Sequence, residues 1–298
     1  MLKDKALLLY ILLAFAFCWF WAGIIYVSDL EYGTGYSSII VALGCMSAPA
    51  ISAWLVTRYF LKERIQNLNV NWKTARKNVL FMTPVWLPVW MMFFYLCLIA
   101  GNFLCGPELF GSVDFSYQGL LYRIEDLTQG QIDPESLNLP SVPVVLAVII
   151  AGGILAGASV NLLFALGEEI GWRGLMFNRL SHLSVNKRVI ITGFVWGIWH
   201  APLILMGHNY PAHPLTGVFM MVLFCVVLSY PMDWLRSNSN SVLAPAAFHG
   251  MINASAAGMM LFVNSGHELI GSVVGLAGIL AIIPVYLGQL LISRPPGR

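Results

Sequence analysis

Five polar or ionisable side chains lie in or beside apolar stretches of the sequence, where solubility cannot explain their presence. They are Glu168, Glu169, His200, His249 and Asn253. Placing a charged group at the centre of a membrane helix costs at least about 2.5–3.5 kcal/mol. A single histidine in a membrane helix is a hydrogen-bonding packing residue as often as it is a functional one. Five polar groups in three apolar stretches, however, favour a functional site.

The two neighbouring glutamates differ in the partners that a helix would give them. Glu169 lies four residues before Arg173, so their side chains share one helix face and can form an ion pair. Glu168 points to a different side and lacks that partner. A carboxyl group without an ion pair in a low-dielectric site suits a general base or a general acid.

The histidines are expected to face the same interior. His249 and Asn253 are four residues apart, so both project from one side of a helix. Small residues flank them, as Gly197 flanks His200, which is typical of closely packed membrane helices. A cavity open to the cytoplasmic half would unite these groups with Glu168, but only if the helix that ends near Glu168 is tilted or broken.

The composition requires a membrane protein. Of 298 residues, 58% are hydrophobic and 10% are charged, whereas a soluble domain usually carries about 25% charge. Long apolar runs recur along the chain, and with a net charge of +2 no basic run indicates a nucleic-acid partner. We predict an all-α, polytopic membrane helix bundle that forms a single domain over residues 1–298.

Eight apolar runs are long enough to cross the hydrocarbon core, which takes about 20 residues. With eight spans, every Lys and Arg except Arg123 falls on one side, as expected of a cytoplasmic face, and seven spans would scramble this pattern. We therefore predict that both termini are cytoplasmic. The predicted spans cover residues 6–27, 37–60, 79–104, 142–166, 189–206, 215–235, 242–263 and 269–292.

These spans divide the chain into three N-terminal helices (1–104), an acidic outer loop (105–141), a core with the polar groups (142–265) and a last helix (266–298). Residues 172–188 mix bulky apolar and basic side chains, which predicts an interfacial helix on the cytoplasmic face. The first apolar run is long for a signal peptide and lacks a small-x-small cleavage site, so we expect it to be retained.

The remaining candidate groups have simpler interpretations. The five cysteines lack CxxC or metal-ligand spacing and are expected to be small buried hydrophobic residues. Asp233 ends the sixth predicted span and is expected to be solvated at the interface. The histidines of the connections, also expected to be solvated, are His182, His208, His213 and His267.

Three motifs in this order resemble those of one family, the CAAX prenyl protease and bacteriocin-processing family of intramembrane endopeptidases. The family carries EExxxR, FxxxH and HxxxN on successive membrane helices. Here the first motif is EEIGWR from Glu168 and the third is HGMIN from His249. The middle motif is WGIWH, with Trp196 where the family usually has Phe. The resemblance covers about residues 145–265.

The resemblance implies an endopeptidase that cuts near the C-terminus of a membrane-associated or lipid-modified peptide or protein. Carried over by position, Glu168 would activate water and His200 would help to position or deprotonate it. Four other residues would assist: His249 and Asn253 as donors to the tetrahedral oxyanion, and Glu169 and Arg173 as supporting groups.

The resemblance leaves the role of a metal open. Glu168, His200 and His249 could bind zinc with one position left for water, although a metal-free mechanism is favoured and no cofactor is predicted. The expected partners are the lipid bilayer of a bacterial cytoplasmic membrane and the peptide or lipid-modified protein substrate. The oligomeric state is left undecided.

Two other functions are compatible with the same residues. A non-catalytic member of the fold, either a partner-binding or a bacteriocin-immunity protein, would have no need of a costly carboxylate. A proton-coupled transporter could use the groups as a relay, but the chain lacks the internal repeat common in transporters. Residue spacing alone does not distinguish proteolysis from proton transfer.

Overall fold

The structure, a computed structural model, describes residues 4–28 and 30–292 and confirms an all-α fold. The strands within those residues are β1 (Ser112–Val113) and β2 (Val263–Asn264), which form one short antiparallel pair. The main helices are α1 (Lys5–Val27), α2 (Gly35–Phe60), α3 (Thr83–Cys105), α4 (Tyr117–Leu127), α5 (Val142–Gly157), α6 (Val160–Arg179), α7 (Val185–Trp199), α8 (Ala201–Leu205), α9 (Pro214–Ser239), α10 (Leu243–Met259) and α11 (Leu276–Ile292).

Shorter helical turns and wide turns of π-helix complete the regular structure of the described residues. The short turns are Ile65–Leu68, Trp72–Lys77, Pro107–Phe110, Pro134–Leu137, Met260–Phe262 and Glu268–Gly271. Wide turns inside α2 are Val41–Cys45 and Val56–Phe60, and another, Asn78–Met82, leads into α3. The outer loop therefore contains helical structure of its own, chiefly α4.

The long apolar helices make this chain an integral, multi-pass membrane protein. Five segments of the described chain are long and apolar enough to span, and the bent pair α5–α6 makes six. The other two predicted spans fall on α7 and α10, which have 15 and 17 residues and are short for a bilayer. The count of eight stays a prediction. The five segments are Lys5–Val27, Gly35–Phe60, Ile65–Cys105, Pro214–Ser239 and Glu268–Ile292.

The fourth predicted span is broken, as the shared cavity requires. α5 and α6 meet at 54° across residues 158–159. α10 packs against both halves, because glycines allow close approach: a Cβ at Gly157 would collide with the backbone of Met251, and one at Gly250 would lie 3.0 Å from the carbonyl carbon of Asn161. This contact brings the α10 residue His249 close to the C-terminal half of α6.

The predicted interfacial helix over residues 172–188 is wrong. α6 continues past the predicted span end through a seven-residue π-helical turn, Ile170–Met176, and Trp172 and Arg173 are almost fully buried. Arg173 can be buried because its charge is paired within the protein. Turns of π-helix are frequent at functional sites, and this one follows the two glutamates directly.

The prediction that Asp233 is solvated is also wrong. Asp233 is buried and accepts two hydrogen bonds from Arg188, with N–O distances of 2.6 and 2.8 Å. The guanidinium groups of Arg188 and Arg236 lie 4.5 and 4.6 Å from the ring centre of Phe177. This cluster ties α6, α7 and α9 together and so supports the helices that carry the polar groups.

We expect Asp233→Ala to lower the free energy of unfolding by about 3–5 kcal/mol, because it leaves Arg188 buried without its partner. Thermal unfolding of the detergent-solubilised protein measures the change. Asp126→Ala, which removes the exposed partner of Arg123, is the control and should cost about 0–1 kcal/mol. Equal losses of unfolding free energy in the two variants would contradict the role of Asp233 in holding α6, α7 and α9 together.

Candidate active site

A cavity of about 310 Å³ is lined by residues of α2, α3 and α6 to α10, and by the segment before α11. Four of the predicted site residues line it: Glu168, His200, His249 and Asn253. They come from three helices, and 32 positions separate Glu168 from His200 while 49 separate His200 from His249. The structure therefore brings together the groups whose common interior was expected from their spacing.

Glu168 is buried, and its carboxylate faces both the cavity and an indole. Its Oε2 atom accepts a hydrogen bond of 2.8 Å from Nε1 of Trp196. No Lys or Arg of the described residues forms an ion pair with it. Glu168 is thus a buried carboxyl group held by one neutral donor, with oxygen lone pairs left for a water molecule.

Glu169 lies outside the cavity and acts on His249 instead. Its fully buried carboxylate lies 3.1 Å from Nη1 of Arg173 and 3.0 Å from Nδ1 of His249. The expected Glu169–Arg173 pair is therefore present, and it extends to the histidine. Because a carboxylate accepts, Nδ1 of His249 carries a proton and Nε2 is left for the cavity.

His200 ends α7 with its ring fixed by its own helix. Its Nδ1 atom lies 2.9 Å from the carbonyl oxygen of Trp196. A carbonyl can only accept, so Nδ1 carries the proton and Nε2 of the neutral ring is an acceptor. His200 can therefore take a proton from a water molecule in the cavity.

Asn253 is the most exposed of the four cavity residues, one helical turn beyond His249. In the described part of the chain its side chain makes no hydrogen bond within the protein, so the amide N–H groups are available to a ligand. A ligand oxygen placed between Asn253 and His249 would meet two donors only if His249 carries a second proton. The neighbouring Glu169 carboxylate stabilises that positive charge.

His208 is a cavity residue that the sequence interpretation missed. It lines the same cavity instead of being solvated, and its ring lies parallel to that of His200 with centres 6.4 Å apart. Nδ1 of His208 lies 2.7 Å from the hydroxyl of Tyr32, and burial lowers the pKa of His208 to about 4, so it is neutral at pH 7. The sequence feature that could have indicated this position is Gly207, because glycine readily adopts a positive φ. Here its φ of +101° reverses the chain after α8.

Comparison with known proteins identifies the part of the chain that carries the four predicted site residues of this cavity. Residues 141–255 match the family described as "Type II CAAX prenyl endopeptidase Rce1-like". We call residues 141–255 the Rce1-like segment because they are similar to this family. The Rce1-like segment contains Glu168, His200, His249 and Asn253, and the resemblance seen in the three motifs is confirmed.

A relative of the Rce1-like segment is "CAAX prenyl protease 2" of Methanococcus maripaludis. The two sequences are 34% identical over an alignment of 98 residues, and the alignment covers 31% of this chain. The match covers 36% of the relative, so this chain corresponds to about a third of the relative's length. The N-terminal helices and α11 lie outside the family match.

The Rce1-like segment does not fit a zinc ion at the three predicted ligands. In residues 4–28 and 30–292, no three His, Cys, Asp or Glu side chains come together in a way that could hold a metal. We therefore derive no step of the chemistry through a metal.

Proposed function

We propose that this protein is an intramembrane endopeptidase that uses water activated by Glu168 to hydrolyse a peptide bond. The observation that supports it is the cavity that collects one unpaired carboxylate, two histidines with a free ring nitrogen and one free amide. These are the groups that hydrolysis needs: a base for water and donors for the oxyanion. The family match and the name of the relative agree with this activity.

The proposed reaction begins with a water molecule between Glu168 and Nε2 of His200. Glu168 takes a proton from the water as its oxygen attacks the peptide carbonyl carbon. The carbonyl oxygen becomes an oxyanion that accepts hydrogen bonds from His249 and Asn253. The C–N bond then breaks, and the proton held by Glu168 passes to the leaving amine.

The apolar part of the cavity lining suggests the class of substrate. It comes from α3, α9, α10 and the segment before α11. We propose that it takes a bulky apolar group close to the scissile bond, near the C-terminus of a membrane-associated or lipid-modified peptide. The relative's name points to a prenyl group. The residues of this wall include Trp90, Met221, Phe224, Leu228, Ile252 and Val274.

We further propose that the protein works in a bacterial cytoplasmic membrane with both termini in the cytoplasm.

Mass spectrometry of peptides from cells that carry the wild type or Glu168→Ala tests the proposed proteolytic function. An uncleaved substrate should accumulate in the variant, and its product should be missing. Indistinguishable peptide profiles would contradict proteolysis and favour a non-catalytic, partner-binding protein.

Chelators are expected to leave the cleavage rate unchanged, because the proposed base is a carboxylate acting without a metal. The measurement is the initial rate of the purified protein after incubation with a zinc chelator and gel filtration. Elemental analysis of the same sample provides the control. Loss of activity that added zinc restores would overturn the metal-free mechanism.

A further inference from the structure

The aromatic residue of the middle motif is a tryptophan in this chain, and it contacts the proposed base. Nε1 of Trp196 donates to Oε2 of Glu168 over 2.8 Å, and both side chains are 2% exposed. The phenylalanine usual at this position has no such donor. A hydrogen bond to an ionised group is among the stronger ones in proteins.

Arg173 lies on the face of the same indole. Its guanidinium carbon lies 4.5 Å from the ring centre of Trp196. Glu169 and the hydroxyl of Ser229 hold the guanidinium in place, with N–O distances of 3.1 and 2.8 Å. A cation over the ring draws electron density from the indole, which makes its N–H a stronger donor toward Glu168.

Packing alone does not account for this hydrogen bond. The protein also buries Trp86 and Trp172, and their indole nitrogens have no hydrogen-bond partner among the described residues. Burial of an indole in this fold therefore does not require an acceptor. The indole N–H group of Trp196 instead donates to the carboxylate of Glu168, which lines the cavity and forms no ion pair with a described Lys or Arg.

We propose that Trp196 is a positioning residue for the reaction: its N–H group fixes the Glu168 carboxylate so that the remaining lone pairs face the water. This rests on the endopeptidase activity proposed above. Arg173 then serves both sides of the reaction, because it supports His249 through Glu169 and Glu168 through Trp196. The EExxxR motif would thereby hold the base and an oxyanion donor in one arrangement.

The kinetic test uses Trp196→Phe, which keeps an aromatic ring and removes the donor. We expect kcat to fall about 10- to 100-fold with KM little changed, since a misplaced base slows the chemical step without weakening substrate binding. Trp86→Phe, a remote buried tryptophan without a hydrogen bond, is the matched control and should keep the wild-type kcat. An unchanged kcat in Trp196→Phe, or equal losses in both variants, would overturn the proposal.

A second measurement does not depend on activity, so its outcome separates this proposal from the peptidase function. In the NMR spectrum of indole N–H groups, the signal that disappears in Trp196→Phe should move in Glu168→Gln, where the acceptor has lost its charge. The signal of Trp86 should not move. If Trp196→Phe does not fold, the Glu168→Gln spectrum still decides the outcome. A spectrum in which none of the indole signals has shifted would contradict the contact.

Discussion

Glu168→Gln is expected to lower kcat for peptide cleavage by about 10²- to 10⁴-fold, the usual contribution of a general base. Glutamine has nearly the same shape and can still accept the bond from Trp196, but it cannot take a proton from water. Cleavage of a membrane peptide by purified protein in liposomes measures the effect. The unfolding temperature should stay close to that of the wild type, because Glu168 has no ion pair to lose.

The control for this prediction is Glu135→Gln, which changes an exposed glutamate of the outer loop. It should leave kcat unchanged. Wild-type activity in Glu168→Gln would rule out Glu168 as the base. An equal loss in Glu135→Gln would mean that the assay reports lost protein rather than lost chemistry.

His249→Ala is expected to lower kcat by about 10²- to 10³-fold, as the loss of one oxyanion donor does in other hydrolases. The protonated ring would stabilise charge that appears only in the transition state, so KM should change little. Rates of the same liposome assay measure the effect. His182→Ala, in an exposed connection, is the control.

Glu169→Gln provides a finer comparison at the same place. It keeps an acceptor for Nδ1 of His249 but removes the negative charge that favours the protonated ring. We expect a loss of kcat smaller than that of His249→Ala. A rise in KM with an unchanged kcat in His249→Ala would show that His249 binds the substrate rather than the oxyanion.

The sequence was sufficient for the features that depend on local spacing. Apolar runs predicted the helices because a membrane helix must be apolar along its length. Four-residue spacing predicted the Glu169–Arg173 pair, which the structure contains. Residue spacing and the flanking small residues predicted that Glu168, His200, His249 and Asn253 face a shared interior, and these residues line one cavity.

The features that spacing could not predict are contacts between helices. The hydrogen bond from Trp196 to Glu168 and the ion pair from Arg188 to Asp233 join residues 28 and 45 positions apart. Both depend on how closely the helices pack. Asp233 was misread because a carboxylate at a span end looks the same in sequence whether water or a buried arginine satisfies it.

His208 illustrates the same limit within a connection. The chain reverses at Gly207, and this places the ring of His208 parallel to that of His200 with centres 6.4 Å apart. The break between α5 and α6 was anticipated only as a condition for the cavity. The two helices meet at 54°, and α10 packs against both of them at Gly157 and Gly250.

The most direct test of the central claim is hydrolysis in oxygen-18 water by purified protein in liposomes, with a peptide substrate taken from the Glu168→Ala cells. If Glu168 activates water, the wild type will place the label in the new C-terminal carboxylate, and Glu168→Gln will give almost no product. Failure of the wild type to cleave, or equal labelling by Glu168→Gln, would contradict it.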